Sequence, residues 1–251
     1  MTRQAMILEI LQEEGFQSVV GLAQRLDVNP STIRREFEKL ERMELLQRTH
    51  GGAYPMKHLD TPSAIKESLH KREKRAIGKA MADKVLDGQT ILLDSGSTTL
   101  EVAKHLKHSR LTVVTNDLRI GVEIAERQSA HLVFIGGELL PNVYTLWGPS
   151  SVQQIEHLRV DVAIFGADTV DEQGIFNTSS YEIELKRTMR SIAKEAFFVA
   201  DSSKFGREAL FKVFDLDQFT AGITDTMLDP IRASHFPVPI ITVNPRNDSG
   251  I

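Results

Sequence analysis

The chain contains no cysteine among its 251 residues, and only one tryptophan and three tyrosines. Without cysteine it has no disulfide, thiolate metal site or cysteine nucleophile, and a reducing cytoplasm is the expected compartment. No apolar run approaches the roughly 18 residues that a membrane-spanning helix needs. Met1-Thr2-Arg3-Gln4 leads straight into an amphipathic pattern with no secretory apolar segment. Membrane and export are therefore not expected. No His-Glu-x-x-His pattern occurs, and His105 and His108, three apart, read as a solvated helix pair. The chain is expected to need no metal or cofactor. It also lacks an excess of positive charge: 30 Lys and Arg face 34 Asp and Glu, for a net charge of −4. Any contact with nucleic acid must come from basic residues gathered on one face.

With 41% hydrophobic and 25% charged residues the composition is that of a chain able to bury a core. Its patterning changes part-way along. Ile7, Leu8, Ile10 and Leu11 recur at helical spacing over 3–14, and Gly15 stops them. Val19, Leu22, Ala23 and Leu26 predict a second short helix. Asn29-Pro30-Ser31 opens a third, a capping residue followed by Pro at the first helical position. Ile33, Phe37 and Leu40 line one side of it, and Arg34, Arg35, Glu38 and Lys39 the other. Leu45–Thr49 and Ala53-Tyr54 then flank His50-Gly51-Gly52, a tight hairpin. Residues 55–62 carry two prolines and no periodicity, as a linker would.

Beyond them strands and helices alternate. Strands are predicted at 90–93, 111–115, 132–135, 160–165, 196–200, 218–223 and 239–243, with helices at about 64–86, 98–107, 117–127, 149–157 and 181–194. This is an α/β chain: an N-terminal winged helix-turn-helix domain, then a mostly parallel sheet covered by helices on both faces. The expected boundaries are 1–57 for the first domain, 58–74 for linker and start of a connecting helix, and 75–251 for the sheet domain.

A recognition helix sets its N-terminal residues against base edges in the major groove. Ser31, Thr32, Arg34 and Arg35 are the expected base- and phosphate-contacting set on double-stranded DNA, with Lys39 beside them and Arg48 and His50 reaching from the wing. A three-helix interaction module with a solvated basic face is the competing reading. In residues 1–60 the charge is no help, with 8 Lys and Arg against 9 Asp and Glu.

In the second domain four loops follow strand ends and carry groups suited to an oxyanion. Asp94-Ser95-Gly96-Ser97-Thr98-Thr99 opens a helix, whose free N–H groups and dipole favour a phosphate. Thr115-Asn116-Asp117, Gly136-Gly137 and the Asp201–Gly206 loop with Lys204 complete the set, at the sheet edge where α/β folds collect ligands. A dinucleotide fingerprint would need more glycines than the one at 94–99. Asp168 suits either sugar hydroxyls or its own turn. Glu182, Glu184 and Lys186 read as well as a solvated helix face. For Trp147 core packing is the commoner fate.

The run Ser31–Phe37, with Leu40-Glu41 and Arg48-Thr49-His50-Gly51-Gly52-Ala53, resembles the signature of DeoR-family regulators, with Glu36 where an aspartate is usual. Residues 75–243 resemble that family's effector domain, which is related to ribose-5-phosphate isomerases and CoA transferases. Asp168 in Gly166-Ala167-Asp168 and the segment 182–186 match the family too. The resemblance implies a transcription regulator, most often a repressor of a carbohydrate operon, that binds a phosphorylated sugar or similar metabolite and acts as a homodimer or homotetramer. The alternative is an isomerase with an appended helical domain. Against it, positions that are acidic in those isomerases are here Phe165 and Thr169, and their lysine- and glycine-rich segment is here Asn177-Thr178-Ser179-Ser180.

Overall fold

Capping residues set most helix starts in the first part of the chain. Thr2 accepts the N–H of Ala5 to begin α1 (Arg3–Glu14), and Ser18, at the end of the short strand β1 (Gln17–Ser18), accepts that of Gly21 to begin α2 (Val19–Arg25). Asn29 accepts the N–H of Ser31 to begin α3 (Pro30–Arg42). The hairpin β2 (Leu46–Thr49) and β3 (Gly52–Pro55) follows, and β1 joins it on the β3 side. Gly52 is obligatory there, because a Cβ would lie 2.3 Å from the Gln17 carbonyl and 2.5 Å from the Phe16 ring. A further helix, α4 (Ser63–Ser68), sends Ile65 into the same core as Ile7, Leu11, Leu22, Ile33, Phe37 and Leu40.

The computed structural model describes residues 2–56, 62–127, 130–141 and 143–245, and the predicted linker falls largely on 57–61, outside them. The chain divides into two units, Met1–Leu69 and His70–Ile251.

The second unit runs α5 (Lys71–Ala82), β4 (Thr90–Leu93), α6 (Ser97–His105), β5 (Leu111–Thr115), α7 (Leu118–Ala125) and β6 (Ala130–Phe134). After a small hairpin, β7 (Glu138–Leu139) and β8 (Leu146–Trp147), come α8 (Pro149–Glu156), β9 (Val160–Gly166), β10 (Thr169–Asp171) and β11 (Gly174–Asn177). It closes with α9 (Ile183–Ser191), β12 (Ala193–Val199), β13 (Phe211–Phe214), β14 (Ala221–Asp225), α10 (Pro230–Ala233) and β15 (Ile240–Val243). Seven strands form a parallel sheet in the order β15-β14-β12-β9-β4-β5-β6. Alternate residues of each strand feed the two faces. Ile91, Leu93, Val162, Ile164 and Val199 pack with Ile77 and Met81 of α5 and Ile120 of α7. Leu92, Ala163, Phe165 and Phe198 pack with Ile155 of α8 and Leu185 and Met189 of α9.

The structure corrects three expectations. The single helix over 64–86 is two, α4 and α5, parted at His70, whose φ of 48° is left-handed. Its apolar residues serve two cores, Ile65 and Leu69 in the first unit and Ile77 and Met81 in the second, so their helical spacing did not describe one rod. The strand expected at 218–223 starts at Ala221, because Leu216–Gln218 coils into a 3-10 turn that turns Leu216 and then Phe219 into the core. The helix expected to reach 194 ends at Ser191, and β12 begins at Ala193, three residues ahead of expectation. The antiparallel sheet β10-β11-β13 had no counterpart in the sequence reading.

Candidate DNA-reading face and effector site

Arg34 and Arg35 are exposed and take no hydrogen bond or ion pair among the described residues, while Ile33 and Phe37 on either side of them are buried. Three of the acids that offset the charge of this segment are engaged elsewhere. Glu36, largely buried, accepts the Gln4 amide at 2.9 Å and pairs with Lys39 at 3.4 Å. Glu41 and Glu38 hold Arg48 at 2.6 and 3.5 Å. The neutral sum of the unit thus hides two unpaired arginines on one helix face. Lys39 and Arg48, both expected to contact DNA, are tied to carboxylates, Arg48 by exposed pairs of the kind worth about 0.2–1 kcal/mol, weak enough to release. Ser31 bonds its cap residue Asn29 at 2.9 Å, Thr32 is half-buried, and His50 is exposed at the hairpin tip. Val19 and Val20 at the head of α2, Arg34 and Phe37 on α3, and Arg48, Thr49, Gly51 and Gly52 in the wing line a cleft of about 210 Å³. Of the predicted contacting residues, Arg34 and Arg48 line this cleft together.

In the second unit the parallel strands bring the loops after β4, β5, β6, β9 and β12 to one edge. At the head of α6 the backbone N–H groups of Ser97, Thr98 and Thr99 have no acceptor among the described residues, nor do the hydroxyls of Ser97 and Thr98 have a partner, although Thr98 is only 8% exposed. Thr99 donates to the Gly96 carbonyl at 2.9 Å, and Gly96 takes a φ of 144°. Three open donors at a helix N-terminus make a ready anion cradle.

Asp94 is not one of the cradle's donors. Fully buried, it pairs with Lys186 of α9 at 2.6 Å and accepts the Gly166 N–H at 3.2 Å. Burial drives its carboxyl up, against the pull of Lys186. Burial also presses on Lys186, yet Asp94, then Glu182 and Asp168, hold it charged, above the ordinary lysine range. The solvated-face reading of Lys186 is thereby corrected: it is the buried counter-charge of the site. Ser95 donates to Glu182 at 2.9 Å.

The other predicted residues divide. Thr115 spends its hydroxyl on the Leu93 carbonyl at 2.9 Å. Asn116 donates to the Leu146 carbonyl at 2.8 Å and keeps a buried Oδ1 without a partner. Gly136 bonds Gln154 and Ser151, and a Cβ on Gly137 would lie 2.2 Å from the Ser151 hydroxyl. These glycines seat α8. Asp168 accepts from Thr178 through both its N–H and its hydroxyl. Trp147 packs edge-on to Tyr181 at 4.9 Å. Lys204 sits in the turn that Asp201 caps; burial raises the Asp201 carboxyl, but Lys204, Lys74 and His70 hold it below the usual aspartate value.

Residues 69–226 match the DeoR C terminal sensor domain, and residues 3–58 the DeoR-like helix-turn-helix domain. The chain belongs to the DeoR family. Over 229 residues it is 33% identical to the transcriptional repressor AccR of Agrobacterium fabrum, covering 89% of each chain. It is 30% identical over 222 residues to the glycerol-3-phosphate regulon repressor of Escherichia coli, covering 87% of this chain and 88% of that one. The L-fucose operon activator of Haemophilus influenzae is 30% identical over 229 residues, covering 90% and 92%. A solved ribose 5-phosphate isomerase A from Methanocaldococcus jannaschii aligns over 53% of each chain at 19% identity with a TM-score of 0.39, too loosely to speak to chemistry. Family membership makes this chain a DNA-binding transcription regulator with a sensor domain. Among the described residues no helix is long and apolar enough to cross a membrane.

Proposed function

We propose that the protein is a repressor of a carbohydrate operon whose second unit binds a phosphorylated sugar or related metabolite and so sets the affinity of α3 for its operator. The observation that carries this reading is the set of open N–H groups at Ser97, Thr98 and Thr99, with the open hydroxyls of Ser97 and Thr98. Lys204 supplies a point charge from the loop after β12, and Asp168 an acceptor for sugar hydroxyls. Relatives that regulate a glycerol-3-phosphate regulon and an L-fucose operon support the same class of effector.

Catalysis is not part of the reading. The two positions that are acidic in the isomerases this domain resembles are here Phe165 and Thr169, both buried. The Asp201 carboxylate ties Lys204 to His70 and Lys74 at the start of α5 within the second unit. The DNA-bound species is a dimer or tetramer on half-sites spaced by about 10 bp or a multiple of it.

A thermal-shift screen of phosphorylated sugars and polyols tests the effector. A ligand at 100 times its Kd stabilises by about 2.7 kcal/mol, and Lys204→Ala should abolish the shift while leaving operator affinity intact. Silence across the whole panel would count against a phosphorylated effector, and turnover of ribose 5-phosphate to ribulose 5-phosphate would restore the isomerase reading. Operator affinity should fall with salt at a log–log slope of about −0.9 per neutralised phosphate; a flat response would remove the DNA role.

A further inference from the structure

Asp117 already occupies part of the cradle. It lies between β5 and α7, is 6% exposed, and its Oδ1 caps α7 by accepting the N–H groups of Arg119 and Ile120 at 2.8 and 3.1 Å. Its Oδ2 reaches across to the head of α6 and accepts the Gly96 N–H at 3.3 Å. A carboxylate thus sits at the helix terminus that the proposed effector approaches. On the β4 side stands Asp94, with a buried Oδ1 that has no partner. From α9 come Glu182, held by Ser95, and Lys186, spent on Asp94. On α7 the Arg119 guanidinium lies 3.8 Å above the Tyr144 ring.

We infer that the Asp117 carboxylate stands in for the effector's anion at the head of α6, and that anion binding there is coupled to uptake of one proton by Asp117. The inference rests on the anion cradle proposed above. A dianion on the N–H groups of Ser97, Thr98 and Thr99 lies beside Oδ2, and the two compete for the Gly96 donor. Like charges confined in a buried site raise the pKa of the one able to protonate. The proton goes on Oδ2, which changes from an acceptor of the Gly96 N–H to an O–H donor toward the anion, while Oδ1 keeps its cap on α7. Burial, outweighing the three backbone N–H bonds and helped by the charge on Asp94, already lifts Asp117 to about 6, so the proton is within reach near neutral pH. The sign follows from linkage. Below pH 6 the free protein already carries the proton and affinity is flat; above it each anion bound draws in one proton, and affinity falls as pH rises.

Sulfate is the probe, because it stays a dianion throughout and cannot itself supply the pH dependence. The full-length chain is titrated calorimetrically with sulfate between pH 5.5 and 8, in buffers of different ionisation enthalpy. For the unsubstituted protein the expected result is a Kd that rises about tenfold per pH unit above pH 6, with one proton taken up per sulfate at pH 7.5. Asp117→Asn keeps an Oδ1 to cap α7, which a thermal melt checks. It should abolish both the slope and the uptake, and bind sulfate at pH 7.5 about as tightly as the unsubstituted protein does at pH 5.5. Sulfate binding without a pH slope, or a slope that survives in Asp117→Asn, overturns the inference and leaves the anion cradle standing. No sulfate binding by either protein at any pH overturns both.

Discussion

Arg34→Ala and Arg35→Ala are each expected to weaken operator binding by about 1–3 kcal/mol, roughly 5- to 150-fold, with no loss of effector binding. Both side chains are exposed on α3 beside the buried Ile33, Phe37 and Leu40, and neither has a partner to lose among the described residues. Exposed substitutions of that kind usually move stability by no more than about 0.5 kcal/mol, so a lost affinity reports contact with DNA and not unfolding. The manner of the loss separates two roles. An arginine that forks onto guanine costs affinity for the operator and little for unrelated duplex. One that clamps a phosphate lowers both alike and reduces the salt slope by about 1. Arg48→Ala is the contrast, because it also frees Glu38 and Glu41 and loosens the hold of α3 on the wing. Fluorescence anisotropy on operator and scrambled duplexes, at two salt concentrations, reads all three. Operator affinity unchanged within twofold in both arginine variants would mean that another face meets the DNA.

The first unit was legible because local signals settle it. Asn29-Pro30-Ser31 caps and opens α3 as its chemistry dictates, and Gly51-Gly52 turns the hairpin. The sheet was legible because a parallel strand buried on both faces is a short apolar run, and Ile91–Leu93 and Leu111–Val114 are such runs. What stayed hidden was set by partners distant in sequence. Nothing local says that Ile65 and Ile77 belong to different cores, so α4 and α5 read as one helix. The strands β10, β11 and β13 are three or four residues long, and β11 pairs with β13 more than 30 residues further along, which no window of periodicity reports.

For the effector site, the sequence reading found the loops but not the division of labour within them. It grouped Asp94, Ser95 and Ser97 as one phosphate-binding run, whereas the structure gives Asp94 to Lys186, Ser95 to Glu182, and leaves Ser97 to Thr99 open. Glu182 and Lys186, four apart, look like a surface ion pair. A signal against that reading was present. Lys186 sits between Leu185 and Met189 on the stripe of α9 that faces the sheet, and a lysine inside an apolar stripe needs a buried counter-charge. Asp117 falls in one of the predicted oxyanion loops, but its reach to α6 is not legible there, because Asn-Asp before a helix is ordinary capping chemistry. Only the fold shows its second oxygen crossing to Gly96.

That buried pair supports the other large prediction, Lys186→Met, which should destabilise the second unit by about 3–5 kcal/mol. The loss comes less from the attraction removed than from the charge left behind. Asp94 is 1% exposed, and without Lys186 at 2.6 Å its carboxylate keeps only backbone donors in a buried site. For a unit of this size, 1 kcal/mol corresponds to about 2–4 °C, so the expected fall in Tm is on the order of 10 °C. The pH dependence has a definite sign. Burial already raises the folded-state pKa of Asp94, and losing Lys186 raises it further. Between the unfolded and folded values the native state then binds more protons, so the variant's stability falls as pH rises and its deficit is smaller at pH 5 than at pH 8. Asp94→Asn combined with Lys186→Met removes both charges and should recover most of the loss, a coupling that the two single variants and the double one measure as a cycle. A Lys186→Met protein that melts within 2 °C of the unsubstituted chain at pH 8 would show that Asp94 is already neutral in the native state. The cradle's buried charges would then have to be counted afresh.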